Sequence, residues 1–360
     1  MRILEVCTSQ SLGGLELYFV TCCQQLSTLG NEVHCMARAG SPIWQKLNKK
    51  SLSVVSTTGN KIKSLFRILS FLRRNHPDIV HTHDKKDLLI IALCKVLSPV
   101  KFQHVHTRQM NMPRAKKGLY HRFIYSKINL FITITERLKQ QVLEKVGLPE
   151  KKVKCLYYGV PAPEPNKHNP FENLGKSRFK IGVVARIDRK KQQHLAIEAV
   201  SVLREKKIFI DLFLVGSVSH PDYEASLREQ ISSLGLSDKV FMTGFLDQPQ
   251  TIMPHFDVIV LTTAEETFGL VLAEAMRMGV PVIGANGGGV PEIIDHEQSG
   301  LLFEPGDSMS LAVAIEKLVG HKHLMEQFAK KGKEKADKLF NIDRHFKALE
   351  KTFLELNALN

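Results

Sequence analysis

Short, largely apolar runs rich in β-branched residues alternate with stretches of helical spacing along most of the chain, and this rhythm constrains the fold more than any other feature. In the first half the runs are Ile3–Thr8, Glu32–Arg38, Ser53–Thr57, Asp78–His83, Phe102–Thr107 and Leu130–Thr135. Segments with a helical period follow them, such as Leu15–Leu29 and Leu88–Leu97. The pattern restarts with Lys180–Ala185, Ile210–Gly216, Val240–Gly244, Val258–Thr263 and Pro281–Ala285. Runs this apolar predict strands covered on both faces. Their alternation with helices predicts parallel sheets joined by right-handed crossovers. Two cycles predict two doubly wound α/β domains facing each other across a cleft, with ligands beyond the carboxyl ends of the strands.

The stretch 157–178 has four prolines and no usable period, which predicts a linker. The expected division is a first domain over 1–160, a linker over 161–177 and a second domain over 178–340. An amphipathic segment, Ile342–Leu356, follows a Lys-rich one at Met325–Leu339. The terminal helix over 341–360 is expected to pack back on the first domain.

The formal net charge of +14 is unevenly spread. Residues 1–160 carry 26 Lys and Arg against 9 Asp and Glu, a charge of +17, and the remainder carries −3. The first half therefore faces something anionic: nucleic acid, an anionic membrane surface or a phosphorylated substrate. The six cysteines lie in that half and form no C-x-x-C pair. They read as reduced, mostly buried thiols of a cytoplasmic protein. No run approaches the roughly 20 apolar residues that span a bilayer, and the first residues, with Glu5 among them, do not read as a secretory signal. A secreted disulfide scaffold and an integral membrane protein are both excluded at this level.

The segment 258–283 carries the strongest chemical signal. Val258–Leu261 reads as a buried strand ending in Thr262 and Thr263, followed by a turn and a helix opened by Gly269 and running through Met278. Thr267, Phe268, Gly269, Leu270 and Val271 then present unpaired backbone N–H groups at a helix start, which suits a phosphate or diphosphate. Glu266 and Glu274 flank that start. A phosphate would repel them, so they are expected to accept hydrogen bonds from hydroxyls, such as those of a ribose and a hexose. The plainer alternative leaves Glu266 favouring the helix dipole and Glu274 facing solvent.

The run Glu266-Thr-Phe-Gly-Leu-Val-Leu-Ala-Glu274 resembles the signature of the retaining glycosyltransferases of family 4. That family has the GT-B fold, two facing Rossmann-like domains of which the second mainly holds a nucleotide sugar. Further segments are similar to it in the family's order. Gly13 and Gly14 resemble the loop that covers the donor phosphates and sugar. Arg186 and Lys191, in Arg186-Ile-Asp-Arg-Lys-Lys191, resemble the cations that neutralise the diphosphate. Gly287-Gly-Gly-Val-Pro-Glu292 and Ser299-Gly-Leu-Leu-Phe303 match later segments. Gly216, Thr243, Gly244 and Phe245 are strand-end turns which the resemblance places along the nucleotide pocket. It further implies that the leaving phosphate helps to deprotonate the acceptor. Arg186, Lys191 and Glu266, with His106, would then be the catalytic groups, with no dedicated side-chain base, no cofactor and no metal.

His81-Thr-His83 and His104-Val-His106 each put two imidazoles on one face of a strand. Such pairs can ligate a metal, but none is expected there, because no third ligand stands at a recognisable spacing. The family often has a histidine that contacts the donor sugar, and at that position this chain has Gln109. His106 and Arg108 are the candidates left. The acceptor is expected to meet Arg108, Arg114, Lys116, Lys117 and Arg122. That stretch, 107–123, looks like bacterial transferases acting on cell-surface polysaccharides. Lys61–Arg74 combines an apolar stripe with five cations and reads either as an ordinary core-packed helix or as a surface for anionic lipid.

The expected protein is thus a metal-independent hexosyltransferase with a UDP- or GDP-type donor and a glycan or glycolipid acceptor, serving lipopolysaccharide or related synthesis. Its expected location is cytoplasmic, as a peripheral protein of the inner membrane's cytoplasmic face. A non-hydrolysing nucleotide-sugar epimerase is the alternative enzyme. A nucleic-acid module is the alternative binder, disfavoured by an aromatic content of only 7% and the lack of aromatics alternating on a basic strand. No nucleic-acid partner is expected.

Overall fold

The computed structural model describes residues 1–50, 52–162, 164–174 and 179–358. Its elements are β1 (Arg2–Cys7), α1 (Gly14–Thr28), β2 (Glu32–Arg38), α2 (Pro42–Lys49), β3 (Ser53–Thr57), α3 (Lys61–Asn75) and β4 (Ile79–Thr82). Next come α4 (Leu88–Leu97), β5 (Gln103–Arg108), α5 (Leu119–Ser126), β6 (Leu130–Thr133), α6 (Glu136–Val146) and β7 (Val153–Cys155). The chain continues with β8 (Phe179–Val184), α7 (Gln193–Glu205), β9 (Ile210–Val215), α8 (Pro221–Ser233), β10 (Val240–Gly244), β11 (Val258–Leu261) and α9 (Leu270–Arg277). It finishes with β12 (Val282–Ala285), α10 (Val290–Ile293), β13 (Leu301–Phe303), α11 (Ser308–Glu316), α12 (Lys322–Leu339) and α13 (Ile342–Asn357).

These elements form two units. The first comprises Met1–Tyr157 and Asp343–Asn360, the second Tyr158–Ile342. The first sheet has the order β3-β2-β1-β4-β5-β6-β7 and the second β10-β9-β8-β11-β12-β13. Every strand pair in both is parallel. These are two Rossmann-like sheets, and in each the order turns back once, between β1 and β4 and between β8 and β11. Such switch points open the crevice where ligands bind, because the flanking crossovers leave to opposite faces.

Apolar strands make the centre of each core. In the second unit Ile181, Val183, Leu212, Leu214, Val258, Val260 and Ile283 pack with Ile197, Val200 and Leu203 of α7 and Leu311 and Ile315 of α11. In the first, Leu4, Val6, Met36 and Val80 pack against Ile68 and Leu72 of α3 and Ile91 of α4. α13 adds Phe346, Leu349 and Phe353, all fully buried. Its His345 accepts or donates at 2.7 Å to Tyr18 of α1, and Phe353 lies edge-on to His81.

Where it is described, the stretch read as a linker over 161–177 packs on the second unit. Asn166 N–H donates to the Thr251 carbonyl at 2.8 Å, and the Phe171 ring stacks on Phe256. Residues 163 and 175–177, and residue 178 at the expected start of the second domain, lie outside the described residues. β7 and β13 are additional strands, each of three residues. All six cysteines are free thiols, five of them buried. No helix among the described residues is long and apolar enough to cross a membrane.

Candidate active site

In the second unit the switch point is built from two loops, one after β8 and one after β11. They are laced together. Thr262 Oγ1 donates to the Lys191 carbonyl at 2.5 Å, Ala264 N–H donates to Gln192 Oε1 at 3.1 Å, and Gln193 Nε2 donates to the Arg186 carbonyl at 2.7 Å. Gln192 takes a left-handed conformation, φ 52°, to turn the chain into α7.

This lacing sets Lys191 Nζ 2.5 Å from Glu266 Oε2, with both side chains about a quarter exposed. Arg186 is exposed and has no ion-pair partner among the described residues. Gly269, left-handed at φ 100°, caps α9 and leaves the amides of the next turn facing outward.

A third loop, after β12, wedges beneath the Glu266 turn. Gly289 N–H donates to the Glu266 carbonyl at 2.8 Å. A Cβ on Gly287 would stand 2.0 Å from the Ala264 carbonyl oxygen, and one on Gly288 1.9 Å from that of Glu266. Backbone runs against backbone here, which accounts for the glycines at 287 and 288.

Glu274 lies half-buried on α9, and its carboxyl has no partner among the described residues. Burial pushes it up to about 7. It is a desolvated acceptor without a donor, the state in which a ligand hydroxyl gains most. At the strand ends beyond, Gly216 N–H donates to the Gly244 carbonyl at 2.8 Å, and Thr243 Oγ1 to that of Leu214 at 3.4 Å. Phe245, next along, leaves 68% of its surface exposed. Thr267, Leu270 and Val271 are half-buried. The Phe268 ring is buried edge-on to Tyr158 and Phe340. It can offer a ligand only its backbone N–H.

In the first unit, the loop after β1 that leads to Gly13 and Gly14 is held by acidic side chains. Thr8 donates to the buried Asp87 through its backbone N–H, at 3.1 Å, and through its hydroxyl. Burial pushes the Asp87 carboxyl up to about 7. Glu16 accepts from Ser9 Oγ at 2.5 Å and from Gly13 N–H at 2.8 Å. Asp87 and Glu16 were missed at the sequence level, and for Asp87 no local signal exists, since its partner stands 79 residues away.

Two expectations in this unit are corrected. His106 is wholly buried, edge-on to Phe131 and 3.0 Å from Thr82 Oγ1. Burial pushes its imidazole well below the usual range. It is a neutral group of the core, packed away from the surface. Arg108 folds onto its own loop, its Nε donating to the Met110 carbonyl at 2.7 Å and Nη2 to that of Asn111 at 3.0 Å. Two of its three guanidinium nitrogens are thus engaged with backbone carbonyls. Arg114, Lys117 and Arg122 are exposed, whereas Lys116 is half-buried with its N–H on the Lys145 carbonyl. Beside them on α5 stand Leu119, 85% exposed, and Tyr120, 58% exposed.

Two Rossmann-like parallel-sheet units, with a helix start, two cations and two carboxylates around the switch point of the second, have the architecture of the GT-B class. Comparison with known proteins agrees. The family model "Glycosyl transferases group 1" matches residues 165–335 and "Glycosyltransferase Family 4" matches residues 12–162. The chain belongs to these glycosyltransferases. It is similar to the capsular polysaccharide biosynthesis glycosyltransferase CapM of Staphylococcus aureus, 24% identical over 81% of this chain and 80% of that one. It is also similar to the amylovoran biosynthesis glycosyltransferase AmsK of Erwinia amylovora, 30% identical over 54% of this chain and 48% of that one. Among solved structures, HepE of Anabaena in complex with UDP superposes with a TM-score of 0.86 at 20% identity, covering 99% of this chain and all of that one.

Proposed function

We propose that this chain is a retaining hexosyltransferase, moving a hexose from a UDP- or GDP-type sugar to a hydroxyl of a glycan or glycolipid in cell-surface polysaccharide synthesis. The observation that carries the reading is the Lys191–Glu266 pair, formed just ahead of the first turn of α9. The donor diphosphate rests on the α9 amides, with Arg186 binding its oxygens as a fork and Lys191 as a point charge. As the bond from the anomeric carbon to the diphosphate breaks, negative charge gathers on the leaving oxygen, and the two cations stabilise it. The acceptor oxygen forms its new bond on the same face and gives its proton to the departing phosphate. Glu274 takes hydrogen bonds from ribose hydroxyls, Glu266 from the hexose, and Phe245 offers a face to the base. These two cations do the neutralising that a metal ion does in other transferases.

The relatives supply the context. CapM and AmsK are named for capsular polysaccharide and amylovoran biosynthesis, and HepE was solved with UDP. The acceptor here is taken to be of that class, reached at the cytoplasmic face of the inner membrane. Leu119 and Tyr120, next to Arg114, Lys117 and Arg122, suit insertion among anionic headgroups.

The test is a thermal-shift screen against UDP-, GDP- and ADP-sugars, where a ligand at 100 times its dissociation constant adds about 2.7 kcal/mol. NMR of the product linkage then reads the anomeric configuration. Stabilisation by one donor and a retained configuration are expected. No stabilisation by any of them, or epimerised donor formed without acceptor, would overturn the reading. For the membrane part, binding to anionic vesicles at low salt is expected, and its absence rejects that part alone.

A further inference from the structure

Four ligand-type side chains meet in the core of the first unit. Glu5 comes from β1, Cys22 from α1, His81 from β4 and His83 from just beyond it. One donor atom of each lies within 4.8 Å of every other, and all four residues are buried. Nothing in the transferase chemistry uses them.

The donor set is two imidazole nitrogens, one sulfur and one carboxylate, which is what a tetrahedral zinc ion takes. His81 Nδ1 stands 2.9 Å from Glu5 Oε1, and His83 Nε2 stands 2.6 Å from Glu5 Oε2. Metal–ligand lengths of about 2.0–2.3 Å place tetrahedral ligand atoms about 3.3–3.7 Å apart, so these pairs need open by only about 0.5–1 Å. The far nitrogen of His81, Nε2, meets Thr107 Oγ1 at 2.6 Å. Ligating imidazoles are oriented in this way through their second nitrogen. The His83 ring is fixed by the edges of Tyr18 and Phe19. Charge also balances. A dication with one carboxylate and one thiolate leaves a neutral buried group, as a dry interior requires.

We propose that Glu5, Cys22, His81 and His83 form a structural site for a zinc-type divalent ion that ties β1, β4 and α1 together. Four protein ligands leave no open position, so the ion supports the fold and takes no part in catalysis. On binding, the Cys22 thiol gives its proton to water and its sulfur coordinates as thiolate. The site stands independently of the transferase reading, and metal content tests it without any assay of transfer.

The full chain, purified without a metal-affinity tag from zinc-sufficient cells and dialysed into metal-free buffer, is expected to hold about one equivalent of zinc by plasma mass spectrometry. Refolding with cobalt should give a thiolate-to-cobalt charge-transfer band. His83→Gln and Cys22→Ser should each cut the metal content to about a tenth or less, with the circular dichroism unchanged. A wild-type chain with less than about a tenth of an equivalent and no cobalt–thiolate band overturns the proposal. So does metal that persists unchanged in both variants. Should a variant fail to fold, wild-type content and the cobalt spectrum decide.

Discussion

Glu266 holds Lys191 at 2.5 Å across two loops that are 75 residues apart in sequence, and the same loops are joined by Thr262 and Gln192 behind the pair. The ammonium is therefore positioned before any ligand arrives. A quarter-exposed pair adds under about 1 kcal/mol to stability, so its value lies in placement.

Lys191→Ala and Glu266→Ala are accordingly expected to leave thermal stability within about 1 kcal/mol of the parent while lowering kcat by about 10²–10³, the range for losing one charge-stabilising group. Steady-state kinetics with the donor found in the screen, alongside a urea titration, checks both halves. Parental kcat in the two variants would remove these residues from the catalytic step.

Glu274 predicts opposite pH trends for folding and binding. Its carboxyl titrates at about 7 in the folded chain, above the ordinary 4.5. The folded state thus holds the proton more tightly, and the stability it contributes is full below the ordinary value and lost as pH rises through about 7. Glu274→Gln should match the parent near pH 4.5 and become more stable than it at pH 8. Nucleotide affinity of the parent should instead rise through about 7, as the carboxylate forms, and the variant's should not. Melting curves and calorimetry across that range decide it.

Gly288→Ala would set a methyl group 1.9 Å from the Glu266 carbonyl oxygen, at φ 61°. A loss of about 1–3 kcal/mol in unfolding free energy is expected from strain alone, together with weaker donor binding, because the Glu266 turn must move. Equilibrium unfolding and nucleotide titration of the same sample measure the two effects.

Phe245→Ala should leave the melting temperature unchanged, since the ring is mostly in solvent. It should weaken nucleotide affinity by about 1–3 kcal/mol, the usual worth of a base–aromatic stack. Phe245→Trp should retain it. A full-affinity alanine variant would place the base elsewhere.

The long strands and the start of α9 were legible because period and apolar character are local properties. β7 and β13 were not, since three residues show no period. His106 was misjudged for a related reason: a strand residue can face core or ligand, and sequence does not say which. Arg108 looked available because its partners are carbonyls, which carry no side-chain signal. The third and fourth members of the Glu5, Cys22, His81 and His83 cluster escaped because Glu5 lies opposite His81 only once β1 pairs with β4. That pairing is a crossover spanning more than seventy residues, and no spacing rule reaches across it.

The return of α13 has a temporal consequence. Phe346, Leu349 and Phe353, which complete the interior around Tyr18 and His81, are made only after the entire second unit has been synthesised. The first unit is begun first and finished last. During synthesis its unfilled interior stays open to water and chaperones, while the inserted unit, continuous in sequence, is free to mature ahead of it.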